Sequence, residues 1–239
     1  MNTILKLSCV FSLALAVSSI HAQSTTFGTY GDTTVIANGP GGVPAYQLTS
    51  NPNPGFQGYS GIYVQFGSGF TVSDLTQLSA DFEMTQNTIT NGAPRFSIID
   101  TTSNTNNEAY VFFGVPNGSG GFMDPAPGTY ESTGNEITSA DLVVQNNGFG
   151  GGSTSASYET WAQFVTQEGS KDIGYITIDV DGGSSGNPQT SDIGNFDVNG
   201  TLYNPVAPTP EPASLALLGT GLLGAAGETF RRARRKARL

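Results

Sequence analysis

The chain has almost no cysteine or histidine. Its 239 residues include one cysteine, Cys9, and one histidine, His21, and both lie in a segment typical of a secretory leader. Without that leader the chain offers no disulfide, no Ser-His-Asp triad, no cysteine nucleophile and no histidine-ligated zinc, copper or iron. Most hydrolase and metalloenzyme mechanisms are thereby excluded, and we expect packing and sheet hydrogen bonds to supply the stability.

Positive charge is equally scarce in the body of the chain. Between residues 23 and 209 only Arg95 and Lys171 are cationic, against 17 Asp and Glu, which leaves a net charge of −15. Such a body repels phosphate backbones, so we expect no nucleic-acid partner. An acidic surface of this kind is typical of an extracellular protein that is kept from self-association.

Residues 1–22 are predicted to be a signal peptide. Lys6 supplies the basic end, an apolar stretch runs from Leu7 to Ile20, and Ala22 is a plausible cleavage position before Gln23. This leader predicts export through the inner membrane.

Residues 23–204 have the pattern of an all-β domain. The chain contains 32 Gly and 13 Pro, and in this stretch short segments of strand character recur between turn signals. We predict a jelly-roll-like β-sandwich with at most one short helix. The predicted strands are Ile62–Phe66, Leu78–Thr85, Arg95–Asp100, Ala109–Val115, Asp141–Gln145, Gly174–Asp181 and a closing segment Ile193–Tyr203 with a hairpin at Asn199-Gly200. Tyr110–Phe113 is apolar on both faces, which predicts a central strand.

Two loops and one helix complete the predicted domain. Gly114–Gly134 is interpreted as a long surface excursion and Gly148–Ser157 as a flexible loop. Helical spacing of apolar residues predicts a short helix over Tyr158–Thr166 with Ser157 as its N-cap, and a strand is the alternative.

The C-terminal tail has three parts in a fixed order. A Pro-rich linker spans 205–212, a predicted transmembrane helix spans 213–230, and a basic tail spans 231–239. The apolar run 213–227 would measure roughly 22 Å as a helix, short of the ~30 Å hydrocarbon core, so a transient membrane tether is expected. The alternative is an amphipathic helix that lies on the membrane. The cations that would stop transfer are Arg231, Arg232, Arg234, Arg235, Lys236 and Arg238.

Pro210-Glu211-Pro212, the small-residue apolar run and the terminal arginines closely resemble the PEP-CTERM sorting domain of bacterial exported proteins. The resemblance covers about residues 208–239, and Glu228-Thr229-Phe230 departs from it. It implies that a membrane protease-transpeptidase, exosortase, recognises Pro210, Glu211 and Pro212. It also implies a Gram-negative cell envelope, cell surface or extracellular matrix, and an association with exopolysaccharide and biofilm.

Candidate sites in the body are few. Asp81 with Glu83, and Asp179 with Asp181, each share one strand face, as solvated carboxylates or as a glycosidase pair would. Calcium is the one metal that the composition permits, and Asp179 and Asp181 are its candidate ligands. No other cofactor is expected. The candidates for stacking on sugar rings are Tyr59, Phe122 and Trp161, although the helix prediction would place Trp161 in the core.

Three functions remain open at this point. We expect a non-enzymatic surface or matrix protein that carries a carbohydrate-binding module. The alternatives are a carboxylate-dependent glycoside hydrolase, which needs two carboxylates in an aromatic-walled groove, and a purely structural matrix protein without any groove.

Overall fold

The computed structural model describes residues 25–50, 58–87, 89, 92–100, 107–114, 126–151, 157–181 and 188–206. The strands in these ranges are β1 (Thr25–Tyr30), β2 (Asp32–Ile36), β3 (Ala45–Thr49), β4 (Ser60–Phe66), β5 (Leu78–Gln86), β6 (Arg95–Ile99), β7 (Glu108–Phe112), β8 (Tyr130–Ser132), β9 (Val144–Asn147), β10 (Tyr175–Val180), β11 (Thr190–Val198) and β12 (Thr201–Leu202). The helix is α1 (Trp161–Glu168), and 3-10 turns lie at Pro40–Gly42, Val72–Asp74, Glu136–Thr138 and Phe149–Gly151.

The strands form two antiparallel sheets. The first has the order β1-β4-β10-β6-β7-β9, and the second has the order β2-β3-β11-β5-β8, with β12 paired to β11. Buried side chains from both sheets meet in one hydrophobic cluster. The predicted all-β sandwich with one short helix is therefore confirmed.

Alternating side chains explain how the two sheets pack. On β5, Leu78, Ala80, Phe82 and Met84 are all at most 1% exposed. At the middle of the sandwich, Phe113 contacts Phe82 of the second sheet with ring centroids 5.0 Å apart. Burial of apolar side chains from both inner faces is what holds the sheets together.

The predicted hairpin at Asn199-Gly200 is present between β11 and β12. Both residues have positive φ, 52° and 81°, as a type I′ turn requires. The Asn199 side-chain oxygen also accepts hydrogen bonds from the backbone N–H groups of Thr76, at 2.8 Å, and Gln77, at 3.1 Å. The turn thus fixes the loop that leads into β5.

The predicted helix exists but begins later than expected. Its N-cap is Thr160, whose hydroxyl accepts from the Gln163 N–H at 3.2 Å, and not Ser157. The reason is that Glu159 pairs with Val144 through two backbone hydrogen bonds, of 2.8 and 2.9 Å, which hold the chain extended before Thr160. A capping box then starts the helix one residue before Trp161.

The prediction that Tyr110–Phe113 forms a central strand is wrong. Its strand, β7, has only β9 between it and the sheet edge. Its outer face is covered in part, because the Tyr158 ring packs on Phe112 with centroids 5.7 Å apart, while Tyr110 on the same face is half-buried. A connecting segment, and not a central position, buries Phe112.

Three predicted boundaries also need correction. The strand expected at Asp141–Gln145 is β9, Val144–Asn147, and Leu142 before it is 47% exposed. The excursion Gly114–Gly134 contains β8, which pairs with β5. In the described part of Gly148–Ser157, Phe149 is fully buried against Phe164, with ring centroids 5.5 Å apart, so that part is anchored in the core.

Candidate functional site

An open groove of about 700 Å³ lies on the outer face of the first sheet. Alternate residues of β10 and β6, such as Ile176 and Phe96, point into the core, so their neighbours face outward. The groove is lined by Tyr30, Tyr59, Tyr63, Arg95, Ser97, Ile99, Glu108, Tyr110, Tyr175, Thr177, Asp179 and Asp181. Five of these residues are tyrosines and three are carboxylates.

The strand register arranges these residues in rows across the sheet. One row runs from Tyr30 through Gly61 and Asp179 to Arg95, and the next places Thr177 beside Tyr63 on one side. Because neighbouring strands lie about 4.8 Å apart, side chains within a row are in contact range. The groove is therefore a product of the strand pairing within one sheet.

Glycines make room for the tyrosine rings. A Cβ atom at Gly61 would lie 2.5 Å from the Tyr30 hydroxyl, and one at Gly28 would lie 2.5 Å from the Tyr63 ring. Each ring thus lies over a neighbouring strand where a side chain is missing. Tyr63 also meets Tyr175 edge-on at 6.1 Å, which continues the aromatic wall into β10.

A buried ion-pair network forms the floor. Nη1 of Arg95 donates to Oδ2 of Asp181 at 2.9 Å, and Nη2 lies 3.8 Å from Oδ2 of Asp179. Oδ1 of Asp179 accepts from the Ser97 hydroxyl at 3.1 Å. The Arg95 guanidinium also lies 4.3 Å from the centre of the Tyr110 ring, a cation–π distance.

Burial and charge shift the proton affinities in this floor. Burial raises the pKa of Asp179 above its ordinary value, and the Arg95 charge opposes part of that rise. Burial would lower the pKa of Arg95, but Asp179 and Asp181 raise it above its ordinary value. Arg95 therefore stays charged at every pH at which the protein is folded.

A second polar chain lies toward β9. The Tyr110 hydroxyl donates to Oε1 of Glu108 at 2.6 Å and accepts from the Asn147 amide at 3.2 Å. Burial and the neighbouring Glu108 raise the pKa of Tyr110 to about 12, so its hydroxyl keeps its proton at neutral pH. Glu108 is half-buried at the groove edge.

The structure gives calcium no support at the predicted residues. Asp179 and Asp181 do share one face, but the cation between them is the Arg95 guanidinium. Among the residues described, no group of three or more His, Cys, Asp or Glu could hold a metal ion. A calcium ion would have to compete with an arginine that is already paired to both carboxylates.

The residues predicted to stack on sugar rings lie in different environments. Tyr59 is 44% exposed and lines the groove. The stacking role suggested for Trp161 is wrong, because this residue is 4% exposed and packs on Phe164 in the core. Phe122 lies outside the described residues, as do Pro210, Glu211, Pro212 and the basic cluster.

The carboxylate pair on β5 belongs to a different surface. Asp81 is 9% exposed, and its Oδ2 accepts from the Asn195 amide at 2.6 Å. That bond ties it into the second sheet beside β11, away from the groove. It therefore has a structural partner where the sequence suggested a solvated face.

Sequence reasoning missed most of the groove. It had no basis for selecting Arg95, Glu108 or the four other groove tyrosines. One signal was available in the sequence. Arg95 is one of only two cations between residues 23 and 209, and it lies on a predicted strand, where a lone cation suggests a buried acidic partner. A lone arginine among aspartates is typical of a buried ion pair.

Comparisons with known proteins identify the tail. The model of the PEP-CTERM protein-sorting motif matches residues 208–235. The sorting motif predicted from the sequence is therefore confirmed. It supports the conclusion that the protein is exported to the envelope or surface of a Gram-negative bacterium and processed by exosortase. The predicted membrane helix falls in this tail, outside the described residues; the described helix is not long and apolar enough to cross a membrane.

The body gives much less in such comparisons. No curated protein matches the chain. A solved structure, the xyloglucanase domain of NopAA, a type three effector from Sinorhizobium fredii, in complex with cellobiose, shares 18% identity with it. The match covers 74% of this chain and 95% of that one, at a TM-score of 0.36. A likeness at this level assigns no activity to the groove.

Proposed function

We propose that the exported body is a non-catalytic carbohydrate-binding module, and that the tyrosine-lined groove on the first sheet is its binding site. The observation that carries the proposal is the combination of five tyrosines with hydrogen-bonding side chains in one open groove of about 700 Å³. Ligand sites of this size join apolar ring surfaces with a few placed polar groups.

A sugar chain suits both parts of this lining. The flat faces of sugar rings are apolar and pack on aromatic rings, while their hydroxyls need donors and acceptors at the edges. Tyr59, Tyr63 and Tyr175 supply ring surface. Thr177, Ser97 and Glu108 supply hydroxyl and carboxylate groups at the same face.

The engagement of the carboxylates favours binding over catalysis. Asp181 accepts from Arg95, Asp179 accepts from Ser97, and Glu108 accepts from Tyr110. A general acid must direct a proton to the scissile oxygen, and a nucleophile must approach the sugar. Carboxylates held by protein donors suit the ordering of a binding surface.

The sorting motif supplies the setting. Proteins with this tail accompany exopolysaccharide production, so a secreted polysaccharide is the ligand class that the body would meet outside the cell. In this proposal exosortase is the processing partner, and exopolysaccharide of the matrix or biofilm is the binding partner.

The test is a glycan array probed with the exported protein, followed by titration of any hit. The change Tyr59→Ala should weaken binding about fivefold to tenfold, since a buried aromatic contact contributes about 1 kcal/mol. Tyr130→Ala is a matched control, because Tyr130 is 46% exposed and Tyr59 is 44% exposed, but Tyr130 lies on β8 of the second sheet. Absence of binding to every glycan and of retention on polysaccharide columns would favour a purely structural matrix protein.

One observation favours a second candidate, glycoside hydrolysis. Glu108 and Asp179 lie in the same aromatic-walled groove, and burial raises the pKa of Asp179 as a general acid requires. The measurement is release of reducing ends from polysaccharides that the protein binds. If the wild-type protein releases reducing ends and both Glu108→Gln and Asp179→Asn fail to do so, the body is a glycoside hydrolase and not a non-catalytic binding module.

A further inference from the structure

The charges in the groove are unbalanced. Three carboxylates, Glu108, Asp179 and Asp181, line it together with one cation, Arg95. Burial raises the pKa of Asp179, but Glu108 and Asp181 alone already outnumber the one cation. The only other cation between residues 23 and 209, Lys171, does not line the groove.

The positive charge of Arg95 is compensated within the protein. Its side chain is 8% exposed, one nitrogen donates to Asp181 at 2.9 Å, and its guanidinium faces the Tyr110 ring. A sugar carboxylate or sulfate entering the groove would therefore meet carboxylates without any free cation. At about 4 Å separation, a like-charge contact lowers affinity roughly fivefold in bulk water and by up to roughly a thousandfold near a protein surface.

A second observation points to a polar ligand. Nε of Arg95 and Oδ1 of Asp181 are buried without a hydrogen-bond partner among the described residues. Buried polar atoms are normally paired, so these two atoms leave hydrogen-bonding capacity unused in the floor of the groove. Oδ1 of Asp181 is an acceptor, and the group that matches it is a donor such as a hydroxyl or an ammonium group.

The aromatic wall favours the same chemistry. Tyrosine ring faces attract cations, and five tyrosines line the groove together with the three carboxylates. Glu108 has acceptor capacity beyond the single bond it receives from Tyr110. An ammonium group placed between these rings and Glu108 would receive both a charge-assisted hydrogen bond and a ring contact.

We infer that the groove selects polysaccharides that carry protonated amino groups, such as a partly de-N-acetylated hexosamine polymer, and rejects uronic-acid polymers. This inference rests on the proposed carbohydrate-binding function and names its ligand class.

The experiment titrates the exported protein with four oligosaccharides of equal length at about pH 6 and low salt. They are a glucosamine hexamer, its fully N-acetylated form, a neutral β-glucan hexamer and an oligogalacturonate. The glucosamine hexamer should bind about tenfold more tightly than its N-acetylated form, since a charge-assisted hydrogen bond contributes more than a neutral one. The advantage should shrink as salt is added, and oligogalacturonate should not bind.

Two variants identify the groove as the source of the preference. Glu108→Gln should lower the ratio of the two dissociation constants toward one, and Asp181→Asn is a second variant if the first does not fold. Glu131→Gln, a half-buried glutamate on β8 of the second sheet, should keep the wild-type ratio. Hexalysine should bind more weakly than the glucosamine hexamer, because it lacks sugar rings for the tyrosines.

The possible outcomes test the charge selection separately from the proposed carbohydrate-binding function on which it rests. Equal affinity for the amino and N-acetylated hexamers, or tight binding of oligogalacturonate or hexalysine, overturns the charge selection. In that case, binding of neutral sugars that is weakened in Tyr59→Ala keeps the carbohydrate-binding function. Failure of all four oligosaccharides to bind overturns the charge selection, and the glycan array then decides whether the carbohydrate-binding function stands.

Discussion

The Arg95 guanidinium donates to the Asp181 carboxylate at 2.9 Å while it also faces Asp179 at 3.8 Å. One cation therefore compensates two carboxylates in a place where its side chain is 8% exposed. Removing one partner of a buried pair leaves an uncompensated charge, which costs more than the pair itself contributed.

Arg95→Met should accordingly destabilise the protein by about 3–5 kcal/mol at neutral pH. Part of this loss should be regained on acidification, because without the opposing charge of Arg95 the burial of Asp179 raises its folded-state pKa further, and protonation then removes the buried charge. Denaturant unfolding at pH 5 and pH 7.5 measures both effects. Lys171→Met, at an exposed cation, is the control and should change stability by less than about 0.5 kcal/mol.

Gly28 and Gly61 should respond differently to alanine. The Cβ at Gly28 would meet only the far end of the Tyr63 side chain, which can move away. The Cβ at Gly61 would meet the Ile178 carbonyl oxygen at 2.5 Å as well as the Tyr30 hydroxyl, and the backbone cannot move without disturbing β10. Gly61→Ala should therefore cost about 1–3 kcal/mol and Gly28→Ala less than about 1 kcal/mol.

If the groove binds a glycan as proposed, both glycine variants should weaken that binding, since each displaces a tyrosine that lines the groove. The informative one is Gly28→Ala, in which binding should fall while the unfolding midpoint stays close to that of wild type. A Gly28→Ala protein with unchanged affinity for the glycan would show that Tyr63 does not contact it.

The groove could be foreseen only in part, and the reason is physical. Alternation correctly predicts which residues of β10 enter the core, because a strand has a period of two whatever its partners are. The same alternation assigns Tyr175, Thr177 and Asp179 to a solvated face. Thr177 and Asp179 are instead buried, because Tyr30, from a strand distant in sequence, reaches across Gly61 to hydrogen-bond Thr177. Tyr175 is half-buried and meets Tyr63 edge-on.

The boundaries of elements failed for a related reason. The helix that starts at Trp161 was expected from Tyr158 onward, since spacing cannot show that Glu159 pairs with Val144. Strand pairing is a contact between distant segments, and a single sequence carries no record of register beyond hydrophobic pattern. The sorting motif, by contrast, is contiguous, and for that reason it could be read directly from the residues.

Glu136 provides a pH-dependent contribution to stability. It is 3% exposed, and burial raises its pKa to about 7, with the Gly114 backbone opposing the rise and Asp141 adding to it. Its folded-state pKa therefore exceeds its unfolded value, near 4.5. The contribution of Glu136 to the free energy of unfolding is therefore most favourable below pH 4.5. It decreases as the pH rises toward 7 and does not recover at higher pH.

Glu136→Gln should remove this loss and stabilise the protein by about 2–3 kcal/mol at pH 8, with little change near pH 4. Unfolding free energies from denaturant titrations across this range give the comparison. Asp32→Asn, at an exposed residue of β2, is the control, and its unfolding free energy should follow the same pH dependence as that of wild type. A Glu136→Gln curve that is also parallel to wild type would mean that Glu136 titrates normally.

The sorting motif predicts a processing phenotype that is independent of the groove. Replacing Pro210, Glu211 and Pro212 by alanine in a host with exosortase should leave the unprocessed chain in the membrane fraction, because the predicted membrane helix and basic cluster would still anchor it while the recognition motif is gone. Immunoblots of membrane and exported fractions measure the ratio. Pro205→Ala, in the linker before the matched residues 208–235, is the control and should be processed normally.

Anchoring and recognition can also be separated within the tail. Changing the six cations after residue 230 to glutamine keeps Pro210-Glu211-Pro212 but removes the charges that are predicted to hold the C-terminus on the cytoplasmic side. Because the apolar run is short for a bilayer, this variant should leave the membrane without processing and appear outside the cell with its tail attached. Mass measurement of the exported protein distinguishes a processed C-terminus from an intact one. An intact tail on exported wild-type protein would contradict processing by exosortase.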